Sequence, residues 1–157
     1  MCQKVGFWTN SMSTLQNKKA LVEHTAQFFS LHWGFETPHP EWELNWDWTG
    51  PAPNYLLGGL YALFAKEELI YIGLGASRGG GPYKERGISR RLSAHVLKIA
   101  PEDVLETYLP QERWLAYGVD LVGTLGFEQE NSYLAPSLED YLIGHLNPPE
   151  NYIKKVK

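Results

Sequence analysis

The spacing of apolar residues changes period along the chain, and each change marks an element. Leu21, Val22, Thr25, Phe28, Phe29 and Trp33 fall on one face of a helix predicted from about Thr14 to Trp33. Ser13 stands at the N-cap position and Gly34 at the stop, and Pro38 and Pro40 prevent resumption. From Glu41 to Trp48 the period is two: Trp42, Leu44, Trp46 and Trp48 alternate with Glu41, Glu43, Asn45 and Asp47. That pattern predicts a half-buried strand whose tryptophans belong to the core rather than to a base-stacking platform. Gly50-Pro51-Ala52-Pro53-Asn54 interrupts it. It reads as a linker between an N-terminal extension, residues 1–54, and a domain over residues 55–157.

A hairpin is expected next: a strand from Leu57 to Ala65, a turn through Lys66-Glu67-Glu68 and a return from Leu69 to Leu74. With three residues in the turn, Tyr61 lies opposite Gly73 and Leu63 opposite Tyr71, so the two tyrosines share a face as diagonal neighbours. A turn one residue longer or shorter would put them on opposite faces. Ala76–Gly87 falls in a glycine-rich loop carrying Arg78, Lys84 and Arg86. A helix from Ser89 to Ile99 turns Ile88, Leu92, Val96 and Ile99 to the core, and Pro101 opens another short one. Trp114–Leu125 reads as a strand. Ser137 and Asp140 then form an acidic variant of a capping box for a last helix, which Pro148-Pro149 ends. Its buried face is Leu138, Tyr141, Leu142, His145 and Leu146. The order gives an α+β domain: a small, mostly antiparallel three-stranded sheet flanked by helices, behind an N-terminal helix-strand extension.

A chain of 157 residues that is 43% apolar can bury a sizeable core. No apolar run approaches the ~18 residues of a membrane span, so no membrane partner is expected. A single cysteine, Cys2, cannot form an internal disulfide, and a cytoplasmic location is the expectation. The net charge of −4 argues against a broad nucleic-acid-binding coat, but the charges are unevenly spread. Lys66–Lys98 holds seven Lys/Arg against three Glu, whereas Ile99–Ile153 holds one Arg against ten Asp/Glu. The cations therefore collect around the hairpin and the helix after it.

Three sets of side chains could carry chemistry. Arg91, His95 and Lys98 form a stripe at i, i+4, i+7 beside the apolar face of their helix. A guanidinium there can contact two phosphate oxygens, and an imidazole one turn on can exchange a proton. Arg90 points elsewhere, to solvent or a phosphate backbone. Glu139, next to the buried face of the last helix and in its first turn, suits a hard cation such as Mg²⁺ or simply complements the helix N-terminus. Asp140 and His145 read as structural. Tyr61 and Tyr71 are either sheet tyrosines with wet hydroxyls or one end of a site.

Gly59-Leu60-Tyr61, Tyr71-Ile72-Gly73, Arg91-Leu92-Ser93-Ala94-His95, Glu139-Asp140-Tyr141-Leu142-Ile143 and Pro148-Pro149-Glu150-Asn151 together resemble the GIY-YIG nuclease superfamily, over about residues 57–154. The resemblance implies a divalent-metal-dependent endonuclease that hydrolyses DNA phosphodiester bonds, with RNA kept open as substrate. It makes Tyr61 and Tyr71 the paired tyrosines, one of which takes a proton from the attacking water. Arg91 becomes the phosphate-binding arginine and His95 the residue that orients or deprotonates the pair. Glu139 becomes the sole protein ligand of Mg²⁺, with Mn²⁺ as a substitute, and Asn151 the supporting polar residue.

Many relatives carry Lys directly after the second string, where this chain has Leu74; Arg78 or Lys84 is the expected replacement cation. The loop after the hairpin is longer than in compact relatives. Its Arg78, Lys84 and Arg86 are expected on the DNA backbone, together with Arg90 and Lys98. Sequence specificity would then come from a homodimer or a partner protein. Leu74 and the overall acidity motivate a competing reading, an inactive scaffold of this type that binds nucleic acid or protein.

Overall fold

Gly58–Ala65 contains no charged side chain and is buried along its whole length, which suits only the middle of a sheet covered on both faces. The computed structural model describes the backbone of residues 2–75, 87–100 and 106–152, and the side chains of these ranges from residue 17 onward. In it, β1 (Gly58–Ala65) lies between β2 (Glu68–Gly75) and β5 (Val119–Phe127), both antiparallel to it. A smaller two-stranded ribbon pairs β3 (Leu97–Ile99) with β4 (Tyr108–Pro110). The helices are α1 (Cys2–His32), α2 (Gly87–His95), α3 (Glu112–Tyr117) and α4 (Ala135–Leu146). The fold is thus mixed α/β around a three-stranded antiparallel sheet. Among the described residues, no helix is long and apolar enough to cross a membrane.

The hairpin reaches its expected register by a different route. Its turn has two residues, Lys66 and Glu67, both at positive φ (50° and 70°), the primed geometry that matches strand twist. A two-residue turn alone would have swung Tyr71 to the other face. A β-bulge corrects it: Phe64 pairs with Leu69 and Leu63 with Tyr71, leaving Ile70 without a partner. Ile70 and Tyr71 are therefore successive residues packed on one side, while Leu69 and Ile72 pack on the other. Tyr61 still faces Gly73 across the ladder.

The sheet separates two cores. On one side Leu60, Ala62, Phe64 and Ile72 meet Leu21, Phe28 and Phe29 of α1 and Leu138, Leu142 and Ile143 of α4. On the other, Tyr61, Leu63, Ile70 and Val122 meet Ile88 and Leu92 of α2 and Trp114 of α3. Both edges of the sheet are covered. Glu43 exchanges two backbone hydrogen bonds with Thr124 of β5, at 2.8 and 3.1 Å. Along β2, the Glu150 amide donates to the Ile70 carbonyl at 3.1 Å. The Asn151 side chain then takes both backbone groups of Ile72, accepting its N–H at 2.9 Å and donating to its C=O at 2.8 Å. Such coverage removes the free edges at which sheets of separate chains could pair.

Several expected elements differ. α1 extends well before Thr14, so Ser13 lies inside it rather than at its cap, and Val22 is 47% exposed on its outer side. Glu41–Trp48 alternates in burial as its period demands but pairs only through Glu43, so it is an extended strap instead of a strand. The segment 50–54 is tied to β5: the Thr124 hydroxyl donates to the Pro53 carbonyl at 2.7 Å, and Ala52 is buried. The helix expected over residues 89–99 ends at His95, and the chain turns into β3, leaving Ile99 69% exposed. Trp114 lies in α3, not in a strand.

α4 starts at Ala135, directly from a 3-10 turn over Gln129–Leu134, so Ser137 and Asp140 are not its cap. Its buried residues are Ala135, Leu138, Glu139, Leu142 and Ile143, with His145 exposed and Tyr141 and Leu146 half-buried. The loop cations Arg78, Lys84 and Arg86, and the helix expected at Pro101, lie outside the described residues.

Replacing Asn151 by Ala strips both backbone groups of Ile72 of their partner at a buried edge. Each group left unpaired is expected to cost about 1–3 kcal/mol, read as a lower urea midpoint at unchanged slope. A midpoint equal to wild type would show that water replaces the side chain at no cost.

Candidate active site

The tyrosine pair is built from the hairpin outward. Tyr61 is 1% exposed, and the tip of its ring lies against Gly73: a Cβ added to that glycine would run into the Tyr61 ring carbons and hydroxyl. Glycine is therefore required at this position by close approach of a side chain, not by a turn. Tyr71 is half-buried beside it, with ring centroids 6.0 Å apart at 39°. On its other side Tyr71 meets the Trp114 ring at 5.2 Å. The more buried tyrosine thus sits behind the more accessible one.

α2 brings its cation to this pair. Tyr71 and Arg91 are the polar groups that act on the Tyr61 hydroxyl. Burial pushes the Tyr61 hydroxyl far above the ordinary tyrosine range; the neighbouring Tyr71 adds to this, and the Arg91 guanidinium only partly opposes it. Tyr61 is consequently a neutral phenol at any physiological pH. Arg91 and His95 are both exposed, one turn apart. His95 is held below the usual histidine range, by partial desolvation first and then by the charges of Arg91 and Arg113. It is a neutral imidazole at pH 7, able to accept a proton.

α2 has only nine residues, and α3 clamps its end. The Trp114 indole N–H donates to the His95 carbonyl at 2.7 Å. The Gln111 side-chain amide reaches the carbonyls of Ser93, Ala94 and Leu97 at 3.4, 3.4 and 3.1 Å. Carbonyls at a helix C-terminus lack intrahelical donors, and these two side chains supply them. α3 also brings Arg113, whose guanidinium lies 4.3 Å from the centre of the Trp114 ring. Arg113 makes a 3.4 Å ion pair with Glu150, which also accepts a hydrogen bond from the Tyr117 hydroxyl. Donating to that carboxylate raises the Tyr117 hydroxyl above its ordinary range, and the Arg113 charge partly opposes this.

Tyr61, Tyr71, Arg91 and His95 therefore form one constellation. Asn151 sits behind it, on the Ile72 backbone next to Tyr71. Lys98 does not join the Arg91/His95 stripe, because α2 ends before it; Lys98 pairs with Leu109 in the ribbon. Arg90 is exposed on α2 and has a partner of its own. Glu139 is on α4, whose core lies on the other side of the sheet; it is 4% exposed and likewise partnered. It lies in the second turn of α4 rather than the first, where a helix dipole contributes little. Asp140 also has a partner, and His145 Nδ1 is 2.8 Å from the Tyr141 carbonyl.

Trp114 escapes the sequence reading because it reads as the start of a strand, and Gln111 and Arg113, just before that strand, fall in no predicted element. The signal was present: Glu112 at the start and Gly118 at the left-handed C-cap position (φ 78°) punctuate a short helix. Among the described residues no cluster of three or more His, Cys, Asp or Glu could hold a metal ion. Compared with known proteins, the chain matches no family model, no curated protein and no solved structure.

Two outcomes follow from this geometry. Gly73→Ala should destabilise the fold by about 1–3 kcal/mol, and most of that loss should vanish in a Tyr61→Ala background, because the clash partner is gone. Additive losses would place the strain elsewhere. In an NMR titration His95 should protonate below 6.5, and Arg113→Ala should move its midpoint upward. Since the folded state resists protonation, this histidine contributes stability that is full above 6.5 and is lost as the pH falls below it.

Proposed function

We propose that this protein is a GIY-YIG-type endonuclease that hydrolyses DNA phosphodiester bonds with the help of one divalent cation. The observation that carries the reading is the Tyr61–Tyr71 pair, with ring centroids 6.0 Å apart, facing α2 with Arg91 close enough to act on the Tyr61 hydroxyl and a neutral His95 one turn along. A structural pair of sheet tyrosines needs no guanidinium at its hydroxyls. A phosphate-binding site does, because a phosphodiester gains negative charge in the transition state of its hydrolysis.

The roles divide by environment. Tyr61 stays protonated, so it donates a hydrogen bond and holds Tyr71 in place rather than acting as a base. Tyr71, half-buried and open on one side, contacts the attacking water and relays its proton, with the His95 imidazole as acceptor. Arg91 pairs with the non-bridging oxygens of the scissile phosphate. Arg113 takes the place of the lysine that Leu74 lacks: it is 53% exposed, close enough to depress His95, and aimed by its stacking on Trp114.

A magnesium-type cation keeps most of its waters and takes one or two carboxylates besides the substrate phosphate. Glu139 is the carboxylate that the resemblance assigns to this role; it is buried on α4, whose core lies on the side of the sheet opposite the tyrosine pair, so the four-residue constellation itself contains no metal ligand. A bound Mg²⁺ or Mn²⁺ would supply charge stabilisation at the phosphate and the departing 3′ oxygen, and the Glu139 variant below tests whether that residue holds it.

Plasmid nicking tests this. Wild type should cut with Mg²⁺ and stop in EDTA, and Arg91→Ala should be slower by about 10²–10³-fold. Arg91 is exposed, so that variant should keep the wild-type urea midpoint. Glu139→Gln should lose cation-dependent cutting. If both variants nick as fast as wild type, the assignment fails; if wild type binds DNA and never cuts, the scaffold is a binding module.

A further inference from the structure

α2 presents chemistry on two flanks, and the proposed active site uses only one. At ~100° per residue, Arg91 and His95 lie to one side of the buried Leu92 seam, and Ser89 and Ser93 lie to the other. That second flank opens on a cavity of about 380 Å³ between α2, the strap of residues 46–55 and the β3–β4 ribbon. Trp46, Tyr55 and Tyr108 supply its aromatic lining, and Ser89, Ser93 and Glu106 its polar groups. The walls are fixed to one another. The Tyr108 amide donates to the Trp48 carbonyl at 2.8 Å, and the Gly50 amide donates to the Glu106 carbonyl at 3.0 Å. Trp46 stacks on Trp48 at 5.5 Å and touches Tyr108 at 5.9 Å.

We infer that this cavity is a binding site for one unpaired nucleobase of the bound strand, with a preference for a base carrying an exocyclic amine. The inference rests on the nucleic-acid reading of the active site and adds to it a specificity pocket. Flat aromatic walls with a few hydrogen-bonding groups suit a planar heteroaromatic ring, and extruded bases are read in such pockets. Glu106 can only accept when ionised, so it favours an amine donor, such as the N4 group of cytosine, over the carbonyl of thymine. Ser89 and Ser93 can donate or accept and adapt to the remaining edge.

The position also fits. A strand leaving Arg91 crosses one helix width, roughly 10–12 Å, to reach the pocket, or about three steps of ~3.4 Å. The ridge it crosses carries Arg90 and Ala94, a cation and a methyl group.

The test is binding in EDTA, where no cutting occurs, read by fluorescence anisotropy with labelled single-stranded dT 12-mers (a length of our choosing, ~12 nucleotides). One central position holds dC, dT or an abasic residue. The dC strand should bind roughly fivefold or more tightly than the abasic one. Tyr55→Ala, a change at a residue 38% exposed and so tolerable to the fold, should shrink that gap. Glu106→Gln should remove the preference for dC over dT while leaving the abasic strand unaffected. Equal affinity for all three strands overturns the pocket and leaves the nuclease reading standing. No binding of any strand also overturns the pocket, and plasmid nicking then decides the nuclease reading by itself. Cutting with Mg²⁺ but no base preference separates the two outcomes directly.

Discussion

The bulge at Ile70 decides which face of the sheet Tyr71 occupies, and the candidate site exists only because of that choice. A two-residue turn through Lys66-Glu67 is the tightest closure of this hairpin, but it sets the wrong parity for the tyrosines. One extra residue in β2 restores it. The same residue gives β2 two consecutive apolar contacts on the α2 side, Ile70 and Tyr71, so the bulge is packed rather than tolerated. Bulges next to functional groups commonly re-aim a side chain in this way. Covering the β2 edge with Glu150 and Asn151 then fixes the strand where the bulge has weakened its ladder. The backbone near Tyr71 is thus held from both sides, by β1 through the ladder and by the Asn151 amide at the rim.

Burial divides labour between two chemically identical residues. Tyr61, buried against Gly73, has too little water to stabilise a phenolate, and a single guanidinium does not offset that loss. It can only donate or accept hydrogen bonds. Tyr71 has the open side. The arrangement resembles other sites in which two like groups are pushed apart by environment, one kept neutral and one left to meet solvent. Glu150 extends the logic outward. Its carboxylate is shared by Arg113 and Tyr117, so the arginine is held at the rim by an ion pair.

Much of this was legible in the sequence where one residue type had one physical use. The alternation from Glu41 to Trp48 correctly foretold which side chains are covered, although the strap pairs at a single residue. Alternation reports burial on one side; it does not report whether a neighbour offers backbone partners. The Tyr61–Gly73 pairing was foretold from a three-residue turn, and it holds only because the bulge at Ile70 compensates for a turn that is one residue shorter. The end of α2 was not. Val96 and Ile99 fit helical spacing, but Gln111 and Trp114 claim the carbonyls at residues 93–97, and no local pattern reveals donors that arrive from more than a dozen residues away. The start of α4 was misread for the opposite reason: Ser137 and Asp140 form a plausible local cap, but the preceding 3-10 turn already satisfies the first amides.

The short length of α2 makes that distant clasp decisive for chemistry. A nine-residue helix has no independent stability in water, so its geometry comes from what packs on it and what ends it. Ile88 and Leu92 fix its height above the sheet, and Trp114 and Gln111 fix its last turn, where His95 stands. Trp114 is also the ring against which Tyr71 and Arg113 rest. One buried side chain therefore sets the positions of a tyrosine, an imidazole and a guanidinium at once. Packing of this kind holds side chains in fixed positions without a long framework helix.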